Sequence, residues 1–504
     1  MKAAVVGAGP VGCLAALNFA KEGWDVELYE GRPDIRIPCP EASGVQRSVN
    51  LVLSSRAIAA INSVDPAITH RLLSTAIPLK GRMIHGAEGS QSSYLYDDKD
   101  GQCIYSANRP LLNQAFLDEV FGAIVKGASI RVHFEHKLLR ANFDAKLLTF
   151  ATGTGNVDVS FDLCVGADGS HSTVRHQIMR VVKWVVFDCI LIQFLPSISL
   201  SMEYEQKFIP TQYIELHMPA RSTLDGQPAF VLDSNHLHVW PRHSFMLVAF
   251  PNRTFTCSIF APEVELSKLK DRKYSLEFFR THFAEVLPLI GEEHLLDALE
   301  RNPRNSLITI KAKPYHYKGS VVLVGDSAHS MVPFIGQGLN CGLEDVRVLS
   351  TFFRARGIDP KEPFSPIDLE TALKEYTDIR YADAVAICDL AMQNYEEMRH
   401  SVTTRSYVIR KIIDAALTSN VPFSKIAAEL LNSKRPFPNT TQGWIPLYTM
   451  IAFRADIPYS VAKAKAQRQT RIIDIIAQAA LGVGFFSIGF GGYLVSSWIP
   501  RLIG

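Results

Sequence analysis

The chain opens on a short apolar run, Ala3-Ala4-Val5-Val6, that ends in glycine. A run this short, closed by a turn residue, predicts a buried strand. Helical periodicity follows from about 10 to 22, then a second strand from Asp25 to Tyr29. Strand, helix and strand in that order form the opening unit of a doubly wound sheet. Further along, 113–126 reads as helix, and 129–134, 146–151 and 157–165 read as strands. Residues 209–218, 236–250 and 253–260 carry alternating or β-rich apolar runs, which predict an antiparallel sheet packed beside the first unit. Residues 320–325 form another buried strand, and helical patterns dominate from about 342, notably over 368–400 and 402–432.

Two stretches break these patterns. Residues 475–500 carry no charge, long enough for a helix to cross a bilayer. Lys463, Lys465, Arg468 and Arg471 flank this stretch on one side, and Tyr493 and Trp498 suit the far interface. A membrane anchor is expected there. Residues 181–202 form an atypical apolar insertion, with only Lys183 and Asp188 charged and Pro196 interrupting it. Two readings stay open for it: a true loop packed on the sheet, or translation of an unspliced intron.

Composition narrows the function classes. Hydrophobic residues make up 47% and charged residues 20%, ample for a large core. Lys plus Arg is 52 against 50 for Asp plus Glu, a balance that argues against a nucleic-acid partner. The eight cysteines form no CxxC pair, so neither a disulfide framework nor a metal site is expected. The first motif begins within the opening residues, so no signal or transit peptide is expected ahead of it.

That motif is Gly7-Ala8-Gly9-Pro10-Val11-Gly12, directly between strand and helix. Gly7 permits the tight turn, Gly9 lets a pyrophosphate approach the backbone, and Gly12 lets helix and strand pack closely. Glu30 ends the second strand, where an acid accepts hydrogen bonds from an adenosine ribose. A second motif runs from an apolar strand into Asp168-Gly169, followed by Ser172-Thr173-Val174-Arg175. In a third, Val321–Val324 delivers Gly325-Asp326-Ser327-Ala328-His329, then Gly336-Gln337-Gly338-Leu339-Asn340. Its carboxylate and glycine-rich backbone could hold a ribityl hydroxyl and the oxygen edge of a flavin ring.

In this order and spacing the three motifs resemble the single-component FAD-dependent aromatic hydroxylases. The strings Arg47–Leu51, Arg82–His85, His238–Arg242, Asn394–Arg399 and Ile445–Met450, with the apolar tail, are similar to the kynurenine 3-monooxygenase family among them. The likeness runs nearly end to end. It implies a doubly wound α/β FAD-binding domain, discontinuous over 1–70, 102–180 and 305–360. It also implies an inserted, mainly antiparallel β-sheet substrate domain over 71–101 and 203–304, a helical C-terminal region over 361–455, and a transmembrane helix at 475–500.

The resemblance also implies the chemistry: hydroxylation of L-kynurenine at ring position 3 with NADPH and O2, through a C4a-hydroperoxyflavin, at the mitochondrial outer membrane with the catalytic domain facing the cytosol. No side chain is expected to be catalytic, because the flavin carries the reaction. FAD is the bound cofactor and NADPH a transient co-substrate. For FAD, Val11, Tyr29, Glu30, Gly31, Arg32, Val52, Arg109, Leu138, Thr173, Asp326, Leu339 and Asn340 match the family's positions, beside the motif residues Gly7, Gly9, Gly12, Asp168, Gly325 and Gly338. Arg82, Tyr96, Asn394 and Tyr448 match those that hold the substrate's amino-acid end, and Phe334, Glu397 and Met398 those between substrate and flavin. The alternatives are a hydroxylase of another aromatic acid and a membrane-tethered FAD-binding protein without hydroxylase activity.

Overall fold

The structure, a computed structural model, describes residues 1–37, 50–97, 101–184, 202–222, 228–252, 254–400, 410, 412–414, 417 and 443–475. The opening strand, Lys2–Val6, is buried at four of its five positions and lies inside a six-stranded sheet. Across that sheet the order is His316–Tyr317, Val321–Leu323, Leu163–Gly166, Lys2–Val6, Asp25–Tyr29 and Ile130–His133. All neighbours are parallel except the first pair. The order runs outward in both directions from Lys2–Val6, which creates a topological switch point at the carboxyl ends of the central strands. Helix Pro10–Lys21 buries Cys13, Leu14, Ala16, Leu17 and Phe19 against this sheet, and helix Gly338–Ala355 is buried over most of its length.

A seven-stranded sheet stands beside it, ordered Asn305–Lys313, Glu203–Met218, Phe255–Pro262, Phe245–Pro251, His236–Arg242, Gly81–His85 and Gln91–Leu95. It is antiparallel apart from the parallel pair of His236–Arg242 with Gly81–His85. Its side chains alternate between two cores, as strand geometry requires. Ile214, Leu216, Leu247 and Ile259 face Phe278, Phe279, Leu295 and Leu299 from the helices that follow the sheet. Leu237, Val248 and Phe260 face the other way, toward Phe334, Ile387, Leu390 and Tyr395. The long helix Pro366–Arg399 closes that second side, with Ser365 capping its start through the Ile367 amide.

Several expected elements shift. The segment 157–165 divides into Gly155–Ser160 and Leu163–Gly166, which sit in different sheets, because the chain turns at Phe161-Asp162. The segment 236–250 is a hairpin broken at His243, whose φ is 55°. The helix expected at 113–126 begins earlier, at Arg109, because the Asn108 side chain accepts from the Leu111 amide and Pro110 occupies the first turn. Residues 181–184 of the apolar insertion continue helix Thr173–Trp184, and the rest of it lies outside the described residues. So do most of 402–432, Arg47–Val49 and all of the expected anchor beyond Ile475. No helix among the described residues is long and apolar enough to cross a membrane.

A buried histidine pair braces the second sheet. His238 Nε2 lies 2.8 Å from the Asp233 carbonyl, which can only accept, so that nitrogen carries the proton. His238 Nδ1 therefore accepts from His85 Nε2–H at 2.9 Å, and the His85 ring stacks on Trp240 at 4.1 Å. Burial, with the neighbouring His238 and Arg242, lowers the His85 pKa to about 3. An unfolded histidine takes up a proton below pH about 6.5. Between those two values only the unfolded chain gains the proton, so stability falls as pH falls from 6.5 toward 3. Denaturant titrations are expected to show His85 costing about 2 kcal/mol of stability between pH 7 and pH 5. The slope should shrink in His85→Gln, and an unchanged slope would remove this pair from the acid response.

Candidate active site

The glycine-rich turn is set by close contacts. Gly7 has φ +105°, and its amide donates to the Tyr29 carbonyl at 2.7 Å. A Cβ on Gly7 would lie 2.4 Å from the Ala167 carbonyl oxygen, and one on Gly12 would lie 1.8 Å from the Gly7 oxygen. Gly9 differs: it is the helix N-cap, has no side-chain cap, and a Cβ there would meet nothing within 4 Å. The start of the helix thus borders open space, the arrangement that receives an anion.

Glu30 stands at one end of this turn. Its Oε2 accepts from the Ala8 amide at 3.0 Å, and its Oε1 accepts from the Arg32 amide at 3.0 Å and Nε at 2.8 Å. Burial works to raise its pKa, but the Arg32 hydrogen bond and charge, with the two amides, hold it below the ordinary value. It stays an acceptor. Tyr29 borders the same space, but its ring is engaged elsewhere, stacked between His133 and Phe150 with its hydroxyl donating to Glu27.

The second and third motifs meet at the other end. Asp168 caps helix Thr173–Trp184, accepting from Ser172 Oγ and the Val174 amide. Arg175 binds the two motif loops together, donating to the Ser170 carbonyl at 2.6 Å and the Ser327 carbonyl at 2.7 Å. Burial raises the Asp326 pKa, against the pull of Arg109 and His329. Asn340 is a bracket: Nδ2 donates to the Val52 and Gly336 carbonyls, and Oδ1 accepts from the Ser54 amide.

These loops wall a cavity of about 1770 Å³. Gly7, Gly9, Val11, Tyr29, Glu30, Gly31, Arg32, Val52, Arg109, Leu138, Asp168, Thr173, Asp326, Gly338 and Leu339 line it, as do Phe334 and Met398. Gly12, Gly325 and Asn340 do not; they shape the wall from behind. The walls also include Tyr213, Leu237, Val248, Phe250, Ser258 and Phe260, which sequence reasoning missed. Their spacing of two along the strands was the available signal.

Four further predicted residues, Arg82, Tyr96, Asn394 and Tyr448, gather one layer behind Phe334 and Met398. Arg82 Nη1 lies 3.4 Å from Asn394 Oδ1, and its guanidinium stands 5.1 Å from the Tyr448 ring and 5.8 Å from the Tyr96 ring. The two rings stack at 4.7 Å. Asn394 Nδ2 donates to the Phe334 carbonyl at 2.8 Å and reaches Met398 Sδ at 3.1 Å. Burial raises the pKa of both phenols, so each stays a neutral donor. Glu397 lies one turn along the helix from Asn394 and is half-buried. Phe334 stacks on Tyr395 at 4.5 Å and meets Phe260 edge-on at 5.0 Å.

FAD fits this donor set. A flavin dinucleotide needs a ribose acceptor, an anion site for its pyrophosphate, a polar group for its ribityl chain and an apolar chamber for its ring. Glu30, the Gly9 turn, Asp326 and the walls around Val52 and Phe334 supply these along one continuous cavity.

Comparison with known proteins agrees. The FAD binding domain family matches residues 1–355. The solved structure of a tetrameric 2-methyl-3-hydroxypyridine-5-carboxylic acid oxygenase superposes with a TM-score of 0.59 at 19% identity, covering 80% of this chain and 94% of that one. A p-nitrophenol 4-monooxygenase from Pseudomonas putida gives 0.58 at 17% identity, covering 85% and 96%. The fold and the cavity thus define an FAD-binding enzyme with the architecture of the flavin monooxygenases. Kynurenine 3-monooxygenases of Cryptococcus neoformans and Saccharomyces cerevisiae are 38% and 35% identical, each covering 99% of this chain and 98% of the relative. That of Candida albicans is 39% identical over 95% of this chain and 94% of its own length. The chain belongs to the kynurenine 3-monooxygenase family.

Gly12→Ala drives a Cβ into the Gly7 carbonyl and is expected to yield protein without bound flavin, read from flavin absorbance per mole of chain. Gly122→Ala, on a helix where a Cβ meets nothing within 4 Å, serves as control and should keep its flavin. Equal flavin content in the two variants would overturn the packing argument.

Proposed function

We propose that this chain hydroxylates L-kynurenine at ring position 3, using NADPH and O2. The observation that carries this reading is the Arg82–Asn394–Tyr96–Tyr448 cluster, placed next to the Phe334 and Met398 wall of the flavin cavity. When bound, FAD supplies the redox chemistry, accepting reducing equivalents from NADPH and activating O2.

Arg82, steadied by Asn394 Oδ1, receives the substrate carboxylate in a charge-assisted hydrogen bond, with the two neutral phenols as further donors. This fixes the amino-acid end and directs the aniline ring toward Phe334 and Met398. The ring's amine makes the adjacent carbon electron-rich, so the residues' task is orientation rather than proton transfer. The apolar walls of Phe334, Phe260 and Leu237 keep water from the reacting atoms.

The charge-free segment 475–500 supports membrane attachment, and the family resemblance supports the mitochondrial outer membrane with the catalytic part facing the cytosol. A chain truncated after Asp474 should move from the membrane pellet to the supernatant, and continued pelleting would exclude this segment as the anchor.

Incubation of the full chain with NADPH, O2 and L-kynurenine is expected to give a product about 16 daltons heavier than the substrate, hydroxylated at the 3-position, in step with NADPH loss. NADPH loss with peroxide alone would refute kynurenine as the substrate. In Arg82→Met, kcat/KM should fall about 10- to 100-fold, mostly through KM, with flavin content unchanged. An unchanged KM would remove Arg82 from the carboxylate site.

A further inference from the structure

Tyr448 sits on a helix of only six residues, Leu447–Ala452. So short a helix has no stability of its own, and its place must be set from outside. The group that sets it is Arg56, whose side chain is 0% exposed. Arg56 Nε donates to the Ile451 carbonyl at 2.6 Å, and Nη2 donates to the carbonyls of Met450 at 3.1 Å and Ile457 at 2.5 Å. Two of these carbonyls belong to the end of the short helix, where orphaned acceptors collect and a cation is favoured. Glu344 balances the charge at 2.8 Å, and the Tyr459 ring lies 3.9 Å from the guanidinium.

We infer that Arg56 is a positioning residue for substrate recognition: it holds the Tyr448 helix against Arg82 and thereby sets the carboxylate pocket. This rests on the proposed role of Tyr448. Arg56 is itself fixed by the flavin site. It is the second residue of helix Ser55–Val64, which begins just after the cavity-lining Val52, and the preceding Ser54 amide is held by Asn340 at 2.7 Å. Tyr459 reaches the same region, donating to Gln337 at 3.0 Å in the glycine-rich loop of the third motif. The flavin wall and the carboxylate pocket are therefore joined by one buried fork. Lysine cannot replace it, because a single ammonium on a flexible stem does not span three carbonyls and a carboxylate in fixed directions.

The test compares Arg56→Lys, Tyr448→Phe and the double variant, using L-kynurenine and its decarboxylated amine. Arg56→Lys keeps a cation beside Glu344 and should retain flavin. Its KM for L-kynurenine should rise ~10-fold with little change in kcat, while turnover of the decarboxylated amine stays near wild type. If Arg56 acts through Tyr448, the double variant is no worse than the poorer single variant. Additive losses, or an unchanged KM in Arg56→Lys when Tyr448→Phe is impaired, overturn the inference and leave the site reading standing. An unchanged KM in Tyr448→Phe overturns the site reading itself. If Arg56→Lys loses its flavin, Tyr459→Leu, which removes the ring beneath the guanidinium, should show the same KM-specific loss; a normal KM there also overturns the inference.

Discussion

Arg380 lies fully buried between two carboxylates, with Nε 2.8 Å from Asp345 and Nη1 2.9 Å from Glu344. Charges this far from water are tolerated only when each is paired and hydrogen-bonded, and removing one partner typically costs about 3–5 kcal/mol. The lattice meets that condition by drawing in distant segments. Asp345 also accepts from the Gly325 amide and binds His329, Glu344 also binds Arg56 and Arg347, and Asp383 accepts from Ser460. The third flavin motif, the buried helix Gly338–Ala355, the long helix Pro366–Arg399 and the segment 447–460 thus share one electrostatic centre. Both carboxylates are held below their ordinary pKa against the opposing effect of burial, Glu344 by Arg56 and Arg380, and Asp345 by His329 and Arg380.

Around that centre the two sheets divide the work. The parallel sheet offers backbone: amides at Gly9, a carbonyl-lined turn at Gly7, and loops that end in Asp168 and Asp326. The antiparallel sheet offers side chains, with alternate residues such as Tyr213, Val248 and Phe260 facing the cavity and the intervening ones facing their own helices. A flavin needs the first kind of surface and an aromatic substrate the second, and the cavity runs from one to the other.

The parts of this arrangement legible in the sequence are those whose cause is local. The turn at Gly7–Gly12 and the acid at Glu30 lie within one strand–helix–strand unit, so spacing alone located them. The Gly325-Asp326 motif was legible for the same reason. The residues of the carboxylate cluster lie hundreds of positions apart, and Arg82 or Tyr448 alone looks like any surface or core residue; family likeness, not physics, picked them out. The buried lattice left no trace, because Arg56, Glu344 and Arg380 each sit in ordinary helical stretches and become partners only once the fold is made. The helices between Glu263 and Arg301 also passed unnoticed, although Leu295, Leu296 and Leu299 recur at helical spacing.

Helix Thr173–Trp184 and strand Glu203–Met218 follow one another in sequence but belong to different halves of the fold, and both are fixed in place. Asp168 and Arg175 secure the helix, and Glu203 pairs with Lys313 at the start of its ladder. With the ends held, lengthening such a connection costs only closure entropy, roughly 0.6 kcal/mol for each doubling. Neither strand register nor helix capping depends on how many residues the chain spends there. This junction can therefore gain or lose sequence while the chambers on either side keep their shape.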